Sequence, residues 1–219
     1  MSRLIIVFGG MVVLIVAAAG AWYIGSPLFI SQAVDEPFPF ELPSQATMSQ
    51  MSEAEIQELR DNLRSAIPNP EAMAQMSAEE RQALEDQVMK AALALPDKAM
   101  DEATPTDPIA LRQGQFQDAD SFHQGSGTAT IYELPDQSRL LRFESFNVTN
   151  GPDLHVLLAT NPTPTSRDDL GEYLDLGSIK GNVGNQNYTI PTDADLTQYN
   201  SVVIYCMPFH VVFSTAALQ

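Results

Sequence analysis

Val202-Val203-Ile204-Tyr205-Cys206, a break at Met207-Pro208-Phe209-His210, and then Val211-Val212-Phe213-Ser214-Thr215 form the stretch that decides the fold. Each run has strand length and is rich in β-branched and aromatic residues, which suit a pleated, half-buried surface. Working outward, six more runs read the same way: Gly114–Gln117, Gly127–Glu133, Arg139–Phe146, Leu154–Ala159, Tyr173–Ile179 and Asn187–Ile190. Turn signals separate them at Leu134-Pro135-Asp136, Asn150-Gly151-Pro152-Asp153, Asn161-Pro162 and Lys180-Gly181-Asn182. Short strands split by such turns predict a mainly β domain, sandwich- or barrel-like, over residues 111–219.

Upstream the period changes. Gln50-Met51-Ser52-Glu53-Ala54-Glu55 is echoed by Gln75-Met76-Ser77-Ala78-Glu79-Glu80, and each copy runs on to a leucine (Leu59, Leu84) and an aspartate (Asp61, Asp86). Ser52 with Glu55, and Ser77 with Glu80, have the spacing of a capping box, in which each residue satisfies the other's free backbone N–H. Ile56, Leu59, Leu63 and Ile67 mark one apolar helix face; Leu84, Val88, Ala91 and Leu95 mark another. Pro68, Pro70 and Pro96 stop the helices. A short two-helix hairpin is therefore expected over 48–97, followed by a Thr/Pro-rich linker over 98–110.

Residues 4–24 carry no charge and end in Trp22 and Tyr23. A bilayer span needs about 20 apolar residues, and interfacial aromatics favour its ends. Residues 1–25 are thus expected to be a cytoplasmic tip and a transmembrane signal-anchor. A cleaved signal peptide ending among Ala17, Ala18, Ala19 and Ala21 and a buried soluble-core helix are the competing readings. Arg3 precedes the span, whereas Asp35, Glu36 and Glu41 follow it, so the N-terminus is placed in the cytoplasm and the rest outside. Residues 26–47, with Pro27, Pro37, Pro39 and Pro43, read as an extended spacer.

The 219-residue chain is 44% hydrophobic and 18% charged, enough to bury a core. Its net charge of −17 repels a phosphate backbone, which excludes nucleic acid as a partner and favours cationic ones. One cysteine, Cys206, excludes an internal disulfide. Catalytic signatures such as Gly-x-Ser-x-Gly, a phosphate-binding glycine loop and Cys-x-x-Cys are absent.

Several sequence features match one family in order. They are Gly114-x-Phe116, His123-x-Gly125-x-Gly127-x-Ala129, Gly151-Pro152-Asp153-Leu154-His155-Val156-Leu157-Leu158, Leu176-Gly177-x-Ile179-Lys180-Gly181, Asn185-Gln186-x-Tyr188-x-Ile190-Pro191, and Tyr199-x-Ser201-Val202-Val203-Ile204-Tyr205-Cys206. Residues from Leu111 to Leu218 thereby resemble the DM-thirteen domain, also called the electron-transfer DM-thirteen domain. The resemblance implies an extracytoplasmic redox component whose characteristic cysteine is a free thiol or a ligand to a prosthetic group such as haem. Cys206 matches that cysteine. The helix pair lies outside the resemblance.

The residues alone leave Cys206 open. It ends an apolar strand, where a thiol is usually buried and inert, yet as a metal ligand it would be a thiolate. His210, four positions on, is the first candidate co-ligand, followed by His123 and His155. A blue-copper site needs two histidines, a thiolate and a distant axial methionine, and no methionine follows His210. Met207 is expected on the opposite side of the strand from Cys206. The methionines Met48, Met51, Met73, Met76, Met89 and Met100 suit either helix packing or Cu(I) capture, and lack tight Met-x-x-Met spacing. Asp168, Asp169, Asp193 and Asp195 are candidate calcium ligands that equally suit solvated turns. The leading expectation is a membrane-anchored redox or electron-transfer module using Cys206, with haem, copper or no cofactor and an unknown protein partner. The alternative is a non-enzymatic binding or scaffold module with Cys206 as packing.

Overall fold

The computed structural model describes residues 42–219. The expected span at residues 4–24 and most of the proline-rich spacer lie outside the described residues. Among the described residues no helix is long and apolar enough to cross a membrane.

Four helices come first: α1 (Gln45–Met48), α2 (Glu53–Ala66), α3 (Pro70–Gln75) and α4 (Ala78–Ala94). The internal repeat folds twice into the same local structure. Ser52 Oγ accepts the Glu55 N–H and Glu55 Oε2 accepts the Ser52 N–H at 2.7 Å; Ser77 and Glu80 do the same, also at 2.7 Å. One turn further on, Gln57 donates to Asp61 and Gln82 to Asp86, each at 3.1 Å. Helix α3 lies where the sequence reads as a break. Pro70 occupies its first turn, where a missing N–H costs nothing, and Asn69 Oδ1 caps it through the Ala72 N–H at 2.9 Å. Leu63, Val88 and Leu95 are buried, so the expected faces turn inward, with Ala92 buried in place of the expected Ala91, and Met89 of α4 packs against the main core.

The β domain holds β1 (Ala99–Asp101), β2 (Ile109–Asp118), β3 (Gly125–Glu133), β4 (Arg139–Val148), β5 (Leu154–Ala159), β6 (Tyr173–Ser178), β7 (Val183–Ile190), β8 (Ser201–Cys206) and β9 (Val211–Ala217). They form one nine-stranded sheet in the order β1-β7-β4-β3-β2-β9-β8-β5-β6. The expected mainly β domain takes the barrel-like form of its two alternatives: one continuous, curled sheet instead of two stacked sheets. Strand β2 makes the curl by pairing with β3 through residues 109–115 and with β9 through Phe116–Asp118. The concave side is filled by Phe116, Phe143, Phe146 and Tyr188, with ring centroids 4.8–5.1 Å apart, and by the aliphatic residues of β5 and β8.

Strand β8 is buried at every residue. Val202, Ile204 and Cys206 enter the main core, while Val203 and Tyr205 join Leu157, Ala159, Leu170 and Val212 in a smaller cluster on the other face. Burial on both faces explains why the deciding stretch is continuously apolar instead of alternating.

The segment expected as a linker over 98–110 contains β1. It runs parallel to β7, with Met100 opposite Gly184. Gly184 has φ +99, and a Cβ there would collide with the Met100 carbonyl oxygen, so glycine permits the pairing. Arg142, 2% exposed, donates to the carbonyls of Glu102 and Ala103 at 3.0 and 3.1 Å and to Asn187 Oδ1 at 3.0 Å. The chain after β1 is thereby fastened across β4 and β7.

Candidate functional site

Cys206 closes β8, paired with Leu154 of β5 and Val211 of β9. It is a free thiol with no exposed surface. Burial pushes its pKa up to about 12; the Phe209 N–H pulls it down, while the carboxylates of Asp153 and Glu85 push it further up. In this environment the protonated thiol is the stable form. The turn Met207–His210 covers the strand end, and the Met207 N–H donates to the Asp153 carbonyl at 3.0 Å.

His210 does not join Cys206. It is exposed, has φ +59, and its ring lies 6.2 Å from that of Tyr205. Tyr205 belongs to the smaller cluster and Cys206 to the main core, so the imidazole and the thiol sit on opposite sides of the sheet. Met207 packs with the smaller cluster, on the side expected for it. Partial burial, then the nearby Arg167 charge, lowers the pKa of His210.

His123 is placed separately. Its Nδ1 lies 2.7 Å from Asp120 Oδ2, and its ring packs against that of Phe213, with centroids 4.4 Å apart and planes tilted by 56°. Asp120 Oδ1 also accepts the N–H groups of Phe122 and His123, each at 2.7 Å. The group closes the 119–123 loop.

His155 has the richest surroundings. Nδ1 lies 2.8 Å from Asp175 Oδ2 on β6, and Nε2 lies 3.1 Å from Ser178 Oγ and 3.6 Å from Asp153 Oδ1. Asp153 in turn holds Arg64 of α2 at 3.1 Å. The nearby Asp153 carboxylate raises the His155 pKa above its ordinary value; partial burial opposes this and Asp175 reinforces it. Two flanking carboxylates make His155 a charge bridge between β5, β6 and the loop before β5. The Asp153-x-His155 spacing was visible in the sequence, but Asp175 and Ser178 become neighbours only through the β5–β6 register.

Among the described residues no group of three or more His, Cys, Asp or Glu side chains is placed to hold a metal ion. Asp169 is occupied by the N–H groups of Thr165 and Ser166, and Asp195 by Thr197 and Gln198, which is turn chemistry. A haem or copper ion does not fit this arrangement. The thiol is enclosed by packed apolar side chains, and the nearest histidine in sequence faces away.

No curated protein and no solved structure matches the chain. A family model described as Electron transfer DM13 matches residues 115–218, a range running from the middle of β2 to just past the end of β9 and including Cys206. Over residues 115–218, a little under half of the chain, the curled β domain is similar to the electron transfer DM13 family.

Proposed function

We propose that the chain is a membrane-held, extracytoplasmic component of a redox system, in which the DM13 domain docks a partner and Cys206 packs the core. The observation that carries the role of Cys206 is its complete burial as a protonated thiol. Such a thiol neither attacks a disulfide nor ligates a metal without prior exposure. The electron-transfer setting is supported by the family match. The membrane and its orientation are supported by the uncharged run at residues 4–24 and the acidic flank after it. A net charge of −17 suits a cationic partner, drawn in by long-range attraction.

One observation favours a second reading, in which Cys206 is itself the redox thiol or a prosthetic-group ligand: the family match spans Cys206, which lies at a strand end beneath a four-residue turn. The two readings separate in one experiment on the full chain purified in mild detergent. Its visible absorption is recorded, and the native fold is titrated with a thiol reagent at neutral pH. A colourless protein that labels only after unfolding supports the docking role. Absorption lost in Cys206→Ser, or rapid labelling of the native fold, overturns it in favour of the redox thiol.

A further inference from the structure

Basic side chains are scarce in this chain, 11 against 28 acidic ones, yet four of them line one small cavity. The cavity lies in the seam between the α2–α4 hairpin and the β domain. Arg60 and Arg64 come from α2, Lys98 from the approach to β1, and Lys180 from the β6–β7 loop; the amides of Gln57, Asn150 and Asn182 complete its polar wall.

The acidic groups that face these cations are committed unevenly. Arg64 is paired with Asp153 at 3.1 Å and Lys180 with Glu102 at 2.7 Å. Arg60 and Lys98 form no ion pair among the described residues. The Arg60 guanidinium donates to the Pro96 carbonyl, and Lys98 Nζ to Gln57 Oε1 at 3.2 Å. Asp97 is the carboxylate whose charge acts on Arg60, and its Oδ1 is held by the Asn182 amide at 2.7 Å. In a protein with a surplus of carboxylates, two cations bonded to neutral oxygens around a cavity are an unmet electrostatic demand. A half-buried guanidinium carries a desolvation cost that an anion would offset.

We propose that this seam cavity, built around Arg60 and Lys98, binds a small oxyanion of the phosphate type. The cavity measures about 70 Å³. A single water needs only about 10–15 Å³ of such space, so a small polyatomic ion has room. Arg60 presents a planar fork of donors suited to two oxygens of one anion, and Lys98 supplies a compact charge beside it. Residues from the hairpin and from the β domain would share the ion, so its binding ties the two together. The proposal does not depend on the role of Cys206.

Inorganic phosphate is the probe. The full chain in detergent is titrated with phosphate at constant ionic strength, with sulfate, acetate and chloride as comparisons, followed by amide NMR shifts and calorimetry. The expected result is saturable binding of phosphate, with shifts centred on residues 57–64, 97–98 and 180–182. Lys98→Gln and Arg60→Gln should each weaken binding about tenfold or more, as loss of a charge-assisted bond requires. Lys98 is exposed, so its variant keeps the test valid even if Arg60→Gln fails to fold. Linear shifts, equal shifts with chloride, or unchanged affinity in Lys98→Gln would overturn the assignment.

Discussion

Tyr205 and Cys206, neighbours on β8, face opposite sides of the curled sheet, the phenol in the smaller cluster and the thiol in the main core. The division follows from the two-residue period of a strand. It also keeps the His210 imidazole, which lies beside Tyr205, away from the thiol.

The first prediction concerns the thiol. Replacing Cys206 with serine puts a hydroxyl among apolar side chains, with a cost of roughly 1–3 kcal/mol. Cys206→Ala removes one sulfur and should cost less, about 1 kcal/mol. Chemical denaturation of the two variants checks both size and order. A serine variant as stable as the parent would mean that the site is wetter than its complete burial implies.

Gly184 is the second test. Its φ of +99 and the nearness of the Met100 carbonyl leave no room for a side chain. Gly184→Ala should destabilise by more than about 1 kcal/mol and release β1 from β7. Hydrogen exchange at Ala99–Asp101 and Val183–Asn185 reads the release directly. Protection equal to the parent's would show that β1 tolerates a shifted register.

Arg142 gives the third. Its guanidinium serves the carbonyls of Glu102 and Ala103, the Asn187 amide oxygen and Glu144 Oε1 from a position only 2% exposed. Arg142→Ala leaves several acceptors unpaired at once and should cost about 3 kcal/mol. Urea denaturation gives the size, and protease sensitivity near Ala103 gives the place. The loss should exceed that of Glu144→Gln, because the other acceptors then remain served.

Much of the β domain was legible because its strands carry their signal locally. Strand β5 appears at the residues expected, and β8 differs by one residue. The start of β7 was not legible. Val183-Gly184-Asn185 has turn-like composition, and its strand geometry comes from β1 and β4 on either side. Strand β1 itself is three residues long with a single partner some 80 residues away in sequence, so nothing local announces it. Helix α3 was masked by Pro70, which reads as a stop signal but here starts a helix. The position of Cys206 at the end of a buried strand was legible. The charge bridge at His155 and the basic seam were not, because both join residues that only strand register and helix docking bring together.

That bridge gives the fourth prediction. The carboxylates of Asp153 and Asp175 raise the folded-state pKa of His155 above its ordinary value of 6.5. Its stabilising contribution is therefore fully present below pH 6.5 and is lost as pH rises through the folded-state value. His210 works in the opposite direction. Its pKa is lowered, so protonation favours the unfolded chain, and stability is lost as pH falls below 6.5. The two histidines together place a stability maximum near their shared ordinary value. Urea denaturation between pH 5 and 8.5 should show a decline on both sides. His155→Gln should flatten the alkaline side and leave the acid side, and His210→Gln should do the reverse. Asp153 does not titrate in this window: burial raises its pKa, but the neighbouring His155 imidazole and the charge of Arg64 outweigh burial and keep it below the usual carboxylate value. An alkaline decline that survives His155→Gln would mean that the imidazole is not the charged link between β5, β6 and the loop that holds Arg64.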